Sequence, residues 1–392
     1  MNTFKFVGKI KKLEEKNDRR YIETVSFDSG WMMERAKFLV VNGGNEQFVD
    51  VSGGKYRDNT KNTVYTLFET KKEDESTEYE SVEIDWNKRF DQEVIEKVPR
   101  YKKYVIDLAS DRIREDLIAN GKEGEAAALA EQKYVYITPY DFTLKIGELL
   151  KENVFGNENY VVSGTVEYSY SYSKKTNQWG YYRSFVPNYI RKASSDEKPG
   201  MYGKLDFYYL QEDYMGPLSE DNVRTINGYL QFYERMSKKN YFVPSGVQIK
   251  PENDMFTQVF DMNYFDDAEV LVVGVSVEFY RGTVKTEIKE VELSEKNQLL
   301  IKLGARTKED IIAELSGVAY GDTVERVYMT GISRGYAEGP KSANVTASAL
   351  VEQPSGGRET LSSKVNKNGT KNINRSKIVD LFSDDEESED EI

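Results

Sequence analysis

The stretch Asn159–Lys192 constrains the fold most, because it alternates with a period of two for most of its length. Side chains on a strand point to opposite faces residue by residue, so this pattern commits the segment to extended chain. Val162, Val166, Tyr168, Tyr170 and Tyr172 fall on one face, and Val161, Ser163, Thr165, Glu167, Ser169 and Ser171 on the other. A polar turn, Lys174-Lys175-Thr176-Asn177, follows, and a return strand carries Trp179, Tyr181, Arg183 and Phe185 on one face. The result is a β-hairpin whose aromatic positions are interleaved with Lys174, Lys175, Arg183, Arg191 and Lys192. Stacked bases and phosphates call for that mixture, since every base has a π-face and every nucleotide a negative charge. Tyrosines lining one wall of a barrel core would give the same string, so the pattern carries both readings.

The rest of the chain is read as mainly β. Phe4–Ile10, Tyr21–Phe27, Ala36–Val41, Gln47–Val51, Val64–Glu69, Tyr79–Trp86 and Tyr101–Leu108 read as short strands. Gly8 marks a bulge or a close approach of two strands. Asn42-Gly43-Gly44-Asn45 is a strong hairpin turn. Ser110–Lys133 is helical, with Ser110 as N-cap and a break at Gly121–Gly124; Tyr134–Thr138 is a strand, and Asp141–Lys151 a helix with Phe142, Ile146, Leu149 and Leu150 on one side. Further strands are expected at Tyr202–Gln211, Val223–Met236, Glu269–Glu278, Thr283–Leu293 and Glu325–Ile332, and a short helix at Thr307–Leu315. The strands FKFVGKI and YVVSGTV hint at two domains of one type.

The absences narrow the chemistry. The 392 residues contain no Cys and no His, which removes disulfides, thiolate zinc sites, thiol nucleophiles and imidazole bases. There is no Walker loop and no GxGxxG opening a helix. Asp254, Asp261, Asp266 and Asp267 match no calcium-loop spacing. No enzymatic activity and no cofactor or metal are expected. The N-terminus carries no signal-like apolar run and no window reaches a membrane span, so a cytoplasmic protein is expected. Formal charge is −13, but the last 13 residues, Asp380–Ile392, hold eight acids and no Lys or Arg, leaving −5 on the remainder. The body is close to charge-balanced, and basic patches fit it.

From Glu338 the sequence is polar and lacks aromatics until Phe382, which reads as a linker before an acidic tip with the apolar anchors Ile378, Val379, Leu381 and Phe382. A β-rich body with aromatic and basic hairpins, a linker and an acidic C-terminal tip resembles the single-stranded-DNA-binding proteins of bacteriophages. That resemblance implies two OB-like barrels with helical insertions and a disordered acidic tail recruiting replication or recombination proteins, in the host cell cytoplasm. The tail departs from the common bacterial pattern, which finishes in Asp-Ile-Pro-Phe, and closes with Asp390-Glu391-Ile392. The expected division is a first OB-like domain at 1–108, a helical connector at 109–158, a second OB-like domain at 159–337, a linker at 338–379 and the tail at 380–392.

Candidate nucleic-acid contacts are Trp31, Lys37, Phe38, Phe48, Lys55, Tyr56, Arg57 and Lys61 around the first hairpin. In the second region they are Tyr168, Tyr170, Tyr172, Lys174, Lys175, Trp179, Tyr181 and Arg183. Partner contacts are expected at Asp380, Leu381, Phe382, Asp384, Asp385, Glu386, Glu387 and Ile392. The expected partners are single-stranded DNA and tail-bound proteins, with no membrane and with homo-oligomerisation left open. The rival expectations are a phage structural or assembly protein, a DNA-mimicking inhibitor and a carboxylate-metal nuclease.

Overall fold

The computed structural model describes residues 2–14, 21–72, 75–173, 177–212, 214–219, 222–234, 237–261, 268–285, 298, 301–302, 320–336 and 338–354. The expected strand beyond residue 285, the helix at Thr307–Leu315, Lys174, Lys175 and the acidic tail lie outside the described residues.

The chain is mainly β, and its strand order is the informative feature. β1 (Thr3–Lys12), β3 (Trp31–Asn42) and β4 (Asn45–Tyr56) pair in sequence, with β2 (Ile22–Ser26) along the first half of β3, while β9 (Asn159–Ser173) pairs with both β1 and β10 (Gln178–Lys192). β4 and β10 lie side by side, so the five strands run β1-β3-β4-β10-β9 and return to β1. A second set repeats this order. β11 (Gly200–Leu210) pairs with β13 (Arg224–Glu234), β13 with β14 (Lys239–Ile249), β14 in parallel with β16 (Tyr320–Ile332), β16 with β15 (Val270–Lys285), and β15 with β11. Each ring is a five-stranded Greek-key barrel with the OB order 1-2-3-5-4-1.

The expected OB-like barrels are therefore present, with different contents from those expected. The tyrosine hairpin supplies the fourth and fifth strands of the first barrel, whereas the division at residue 159 assigned it to the second. Hydrogen bonding decides this: β9 pairs with β1 from Thr3↔Thr165 to Lys9↔Asn159. FKFVGKI and YVVSGTV are thus neighbours within one barrel, and the counterpart of β1 is β11, where Gly203-Lys204-Leu205 repeats Gly8-Lys9-Ile10.

β1 also joins the barrels. Its first half lies between β9 and β11, and from Lys9 it pairs with β3 instead. At this switch Gly8 is pressed against β3, where a Cβ would stand 2.5 Å from the Val41 carbonyl oxygen. Phe4 and Phe6 bury into one continuous core, with Phe185 and Phe279 packed edge-on around Phe6 at 4.7 and 6.0 Å.

Between β4 and β9 the first barrel carries an excursion. The two-stranded sheet of β5 (Thr63–Lys71) and β6 (Thr77–Asp85) packs with α1 (Gln92–Lys97) over a separate small core, and β7 (Tyr104–Asp107) and β8 (Lys133–Tyr136) flank α2 (Asp111–Ala119) and α3 (Glu123–Ala130). α4 (Pro139–Lys151) then closes one end of the barrel. Its expected stripe of Phe142, Ile146, Leu149 and Leu150 is fully buried, and Thr138 caps it by accepting from the Asp141 amide at 3.2 Å. At α2 Ser110 stands at the expected N-cap position but makes no side-chain cap bond, while Asp107 accepts from the Ala109 and Ser110 amides just before the helix.

The second barrel has its own short helix, α5 (Thr257–Asp261), at the corresponding place between its third and fourth strands. Residues 338–354, expected to open the linker, pack on the second barrel instead. β12 (Met215–Leu218) edges β13, and β17 (Lys341–Ser342) pairs with β15 while α6 (Ala347–Leu350) buries Leu350 against Phe242 and Val270. The apolar Ala343, Val345, Ala347 and Leu350 of an otherwise polar stretch account for this docking.

Candidate nucleic-acid interface

In the β3–β4 hairpin, period-two alternation separates the nominated residues. Phe38, paired with Val49, is fully buried in the core, so it cannot stack on a base. Lys37 pairs with Asp50 and Leu39 with Phe48 on the opposite, outer face. Trp31 and Tyr56 share that outer face at the far end of the hairpin, packed edge-on at 4.9 Å. A step of six residues along the strand, roughly 20 Å, separates Trp31 from Lys37. Arg35 between them is buried against Glu23, and burial lowers its pKa while the carboxylate opposes the shift. Lys55 faces the other way, with Nζ 5.1 Å from the Tyr140 ring, and Arg57 and Lys61 are exposed beyond the strand.

A second register builds the other half of the site. β9 and β10 pair Tyr172 with Trp179, Tyr170 with Tyr181, Tyr168 with Arg183 and Val166 with Phe185. The shared face is a ladder that begins in the core and ends in solvent: Val166 and Phe185 are buried, and Trp179 is 38% exposed. Tyr170 stacks on Trp179 at 5.3 Å and leans on Tyr181 at 4.8 Å, and Tyr172 meets Trp179 edge-on at 5.8 Å. The distal hairpin reaches the second barrel, where Tyr181 packs edge-on against Phe232 of β13 at 5.9 Å and the Tyr170 hydroxyl bonds Gln353 at 3.2 Å.

The two halves meet at a cavity of about 1020 Å³ between the barrels. The first barrel contributes Lys37, Phe48 and Asp50 with Tyr168, Tyr181 and Arg183; the second contributes β14 residues, Arg281, Glu325 and Arg326. Four cationic side chains thus stand beside two acidic ones in a chain whose formal charge is −13. Lys37 Nζ lies 4.5 Å and the Arg281 guanidinium 4.3 Å from the Phe48 ring centroid. Arg183 lies over Phe185 and Phe279 at 5.2 and 5.4 Å. Burial pushes the Tyr168 hydroxyl above its ordinary pKa, an effect the adjacent Arg183 opposes.

Asn45, the last residue of the predicted turn, fixes the barrels relative to each other. Its side-chain Nδ2 donates to the Phe279 carbonyl at 2.7 Å, and its Oδ1 accepts from the Arg281 amide at 3.0 Å. One amide side chain thus satisfies two backbone groups of β15, as a neighbouring strand would. The turn fits because Gly282 has no Cβ, which would stand 2.5 Å from the Gly44 carbonyl oxygen. Asn45 thereby places the backbone of Arg281 at the cavity.

Lys37, Phe48, Tyr168, Tyr170, Tyr172, Trp179, Tyr181 and Arg183 therefore belong to one connected arrangement, while Trp31, Lys55, Tyr56, Arg57 and Lys61 sit apart at the other end of β3–β4. Sequence reasoning missed Arg281, Glu325 and Arg326. The available signal was the string Phe279-Tyr280-Arg281-Gly282, an aromatic–cation–glycine run at the end of an apolar strand. Among the described residues, no group of three or more acidic side chains converges as a metal site, and no helix is long and apolar enough to cross a membrane.

No family model matches the sequence, and no curated protein matches it. Among solved structures, the chain is similar to a deletion mutant of the single-stranded DNA binding protein from Thermus aquaticus, with 6% identity and a TM-score of 0.27 over 72% of this chain and 87% of that one. Likeness at that level does not bear on the barrel assignment, which rests on strand order.

Proposed function

We propose that the chain binds single-stranded DNA along the path from Lys37 and Phe48 through the inter-barrel cavity to the tip of the tyrosine hairpin, without catalysing a reaction on it. The observation that carries this reading is the continuity of the path. Phe48 touches Arg281, Arg281 and Arg183 share Glu325, and Arg183 stands opposite Tyr168 on the face that continues through Tyr181, Tyr170, Trp179 and Tyr172. Alternating cations and ring faces are what a single strand with unpaired bases requires. The elements involved are the second and third strands and the ends of the fourth and fifth that flank their connecting loop, and OB barrels bind oligonucleotides from the face of strands 2 and 3 and from that loop. Each base stacked on an aromatic contributes roughly 1–3 kcal/mol, and each phosphate neutralised adds to the salt dependence.

In the same reading the acidic residues Asp380, Asp384, Asp385, Glu386 and Glu387, with Leu381, Phe382 and Ile392, recruit replication or recombination proteins and cover the groove when no DNA is present. On the resemblance to bacteriophage proteins we assign this binding a role in phage replication or recombination, in the host cytoplasm.

The test is fluorescence anisotropy of labelled oligo-dT over a salt series, with the full chain and with a truncation after Val379. The expected result is salt-sensitive binding, with log K falling by about 0.7 per phosphate contacted for each unit of log salt, and tighter binding by the truncation. No binding by either form at low salt overturns the reading.

A further inference from the structure

The ion pairing within the cavity carries an inference that rests on the single-strand reading. Glu325 stands opposite Arg281 in the β15–β16 register, with Oε1 3.3 Å from Arg281 Nε. Its Oε2 accepts from Arg183 Nη2 at 2.7 Å. The two arginines come from different barrels, so this carboxylate bridges the opening between them. Both guanidiniums are largely buried against aromatic rings, whereas the Glu325 side chain is 54% exposed.

To a guanidinium, a carboxylate and a phosphodiester present the same thing: one negative charge shared by two oxygens. The rest of the chain provides a contrast. The Glu197 carboxylate takes two bonds from Arg191 at 2.6 Å, one from Lys5 at 2.9 Å, and others from the Ser194 amide and hydroxyl. With its side chain only 16% exposed, that cluster is closed and structural. Glu325 has one arginine on each oxygen and open space beside it.

We infer that Glu325 holds, in the free protein, the position that a backbone phosphate of the bound strand takes. Binding then exchanges an internal carboxylate for an external phosphate. The carboxylate keeps the two arginines aligned across the barrels, and it lowers affinity because it must be displaced and then repels the incoming charge. Glu325 thus sets how tightly the groove holds DNA and lets the strand leave.

The experiment compares wild type, E325Q, E325D and the charge control E80Q at an exposed position of β6, using oligo-dT anisotropy at about 0.1 M salt. E325Q is expected to bind roughly five- to tenfold tighter than wild type, the size of a modest coupling between sites. E80Q is expected to match wild type, and E325D, which keeps the charge but withdraws it by one methylene, to fall between wild type and E325Q. If wild type binds and E325Q is no tighter than E80Q, the inference is overturned and the single-strand reading stands. If neither wild type nor E325Q binds, the reading itself fails and takes the inference with it. Thermal melting of each variant checks its fold. Should E325Q not fold, E325D decides, tighter than wild type in support, equal or weaker against.

Discussion

The two barrels share a strand order and differ in how they close. In the second, every junction of the ring carries backbone strand pairing, down to the single parallel pair Gln248↔Tyr328 between β14 and β16. In the first, β4 and β10 lie together with no ladder between them among the described residues. The cavity opens beside that join, with Lys37 and Phe48 on one side, Arg183 on the other, and the β14–β16 edge of the second barrel opposite. The second barrel therefore serves as the wall against which the incompletely laddered first barrel presents cationic and aromatic side chains. Where backbone hydrogen bonds stop, side chains take over the contact, and those side chains are cations and aromatic rings.

The comparison can be broken most severely from inside the first barrel. Phe38 and Phe48 belong to one hairpin, but Phe38 is fully buried and Phe48 lies on the outer face under Lys37 and Arg281. F38A is expected to cost roughly 3–5 kcal/mol of stability, the range for emptying a large aromatic site in a core. F48A should cost well under half of that and show its effect in oligonucleotide affinity. Urea unfolding and anisotropy on the same two variants check this; equal destabilisation would mean that Phe48 is a core residue and that the outer face does not bind.

The closed carboxylate cluster gives the next effect. Hydrogen bonds from Arg191, then Lys5 and the Ser194 amide, hold the Glu197 carboxyl at about 2, well below its ordinary value of 4.5. A depressed carboxylate pKa stabilises the fold at pH above about 4.5, and that stabilisation fades as pH falls toward about 2. E197Q is therefore expected to be destabilised by about 2 kcal/mol at pH 7, the scale of lost bonds to charged groups, and by much less near pH 3. Melting curves of both proteins across that window check it, and a pH-independent difference would sink the assignment.

Much of this architecture was legible because local pattern determines local structure. The alternation of β9 and β10, the NGGN turn and the stripe Phe142, Ile146, Leu149, Leu150 all appear where the periodicity places them. Strand order was not legible, because an excursion over residues 57–138 separates the third strand of the first barrel from its fourth. With the barrel interrupted, the hairpin reads as the start of a new domain. The same limit applies to the site. Alternation shows that Lys37 and Phe38 face opposite ways but not which face is buried, and nothing local relates Arg183 to Arg281 and Glu325, which meet only once two barrels pack. In β14, Pro244 and Gly246 interrupt a strand whose neighbours β13 and β16 supply the order its own sequence lacks.

At the hairpin tip, the expected effect falls on binding alone. Trp179 is 38% exposed and rests on Tyr170 and Tyr172. W179A is expected to lose roughly 1–3 kcal/mol of oligo-dT affinity, the value of one stacked base, while its unfolding midpoint stays close to wild type. Tryptophan fluorescence quenching on DNA addition, weakened in W179A relative to wild type, is the matching signal. Unchanged affinity would remove the tip from the path and leave the cavity as its end.

The smallest expected effect bears most directly on how the barrels cooperate. Asn45 replaces a missing strand for two peptide groups of β15, bonding the Phe279 carbonyl and the Arg281 amide. N45A leaves both groups without that partner at a largely buried join, which should cost about 1–2 kcal/mol. The barrels also share the β1–β11 ladder and the Phe6–Phe185–Phe279 cluster, so the fold itself should survive. What changes is the placement of Arg281, whose amide is no longer held to the first barrel. Oligo-dT affinity should then fall by more than the stability loss alone explains, and its salt dependence should become shallower as one phosphate contact loosens. Calorimetry and a salt series on N45A separate the two quantities. If stability falls while affinity and salt slope hold, Asn45 is only a brace, and the barrels do not need to be locked in order to bind.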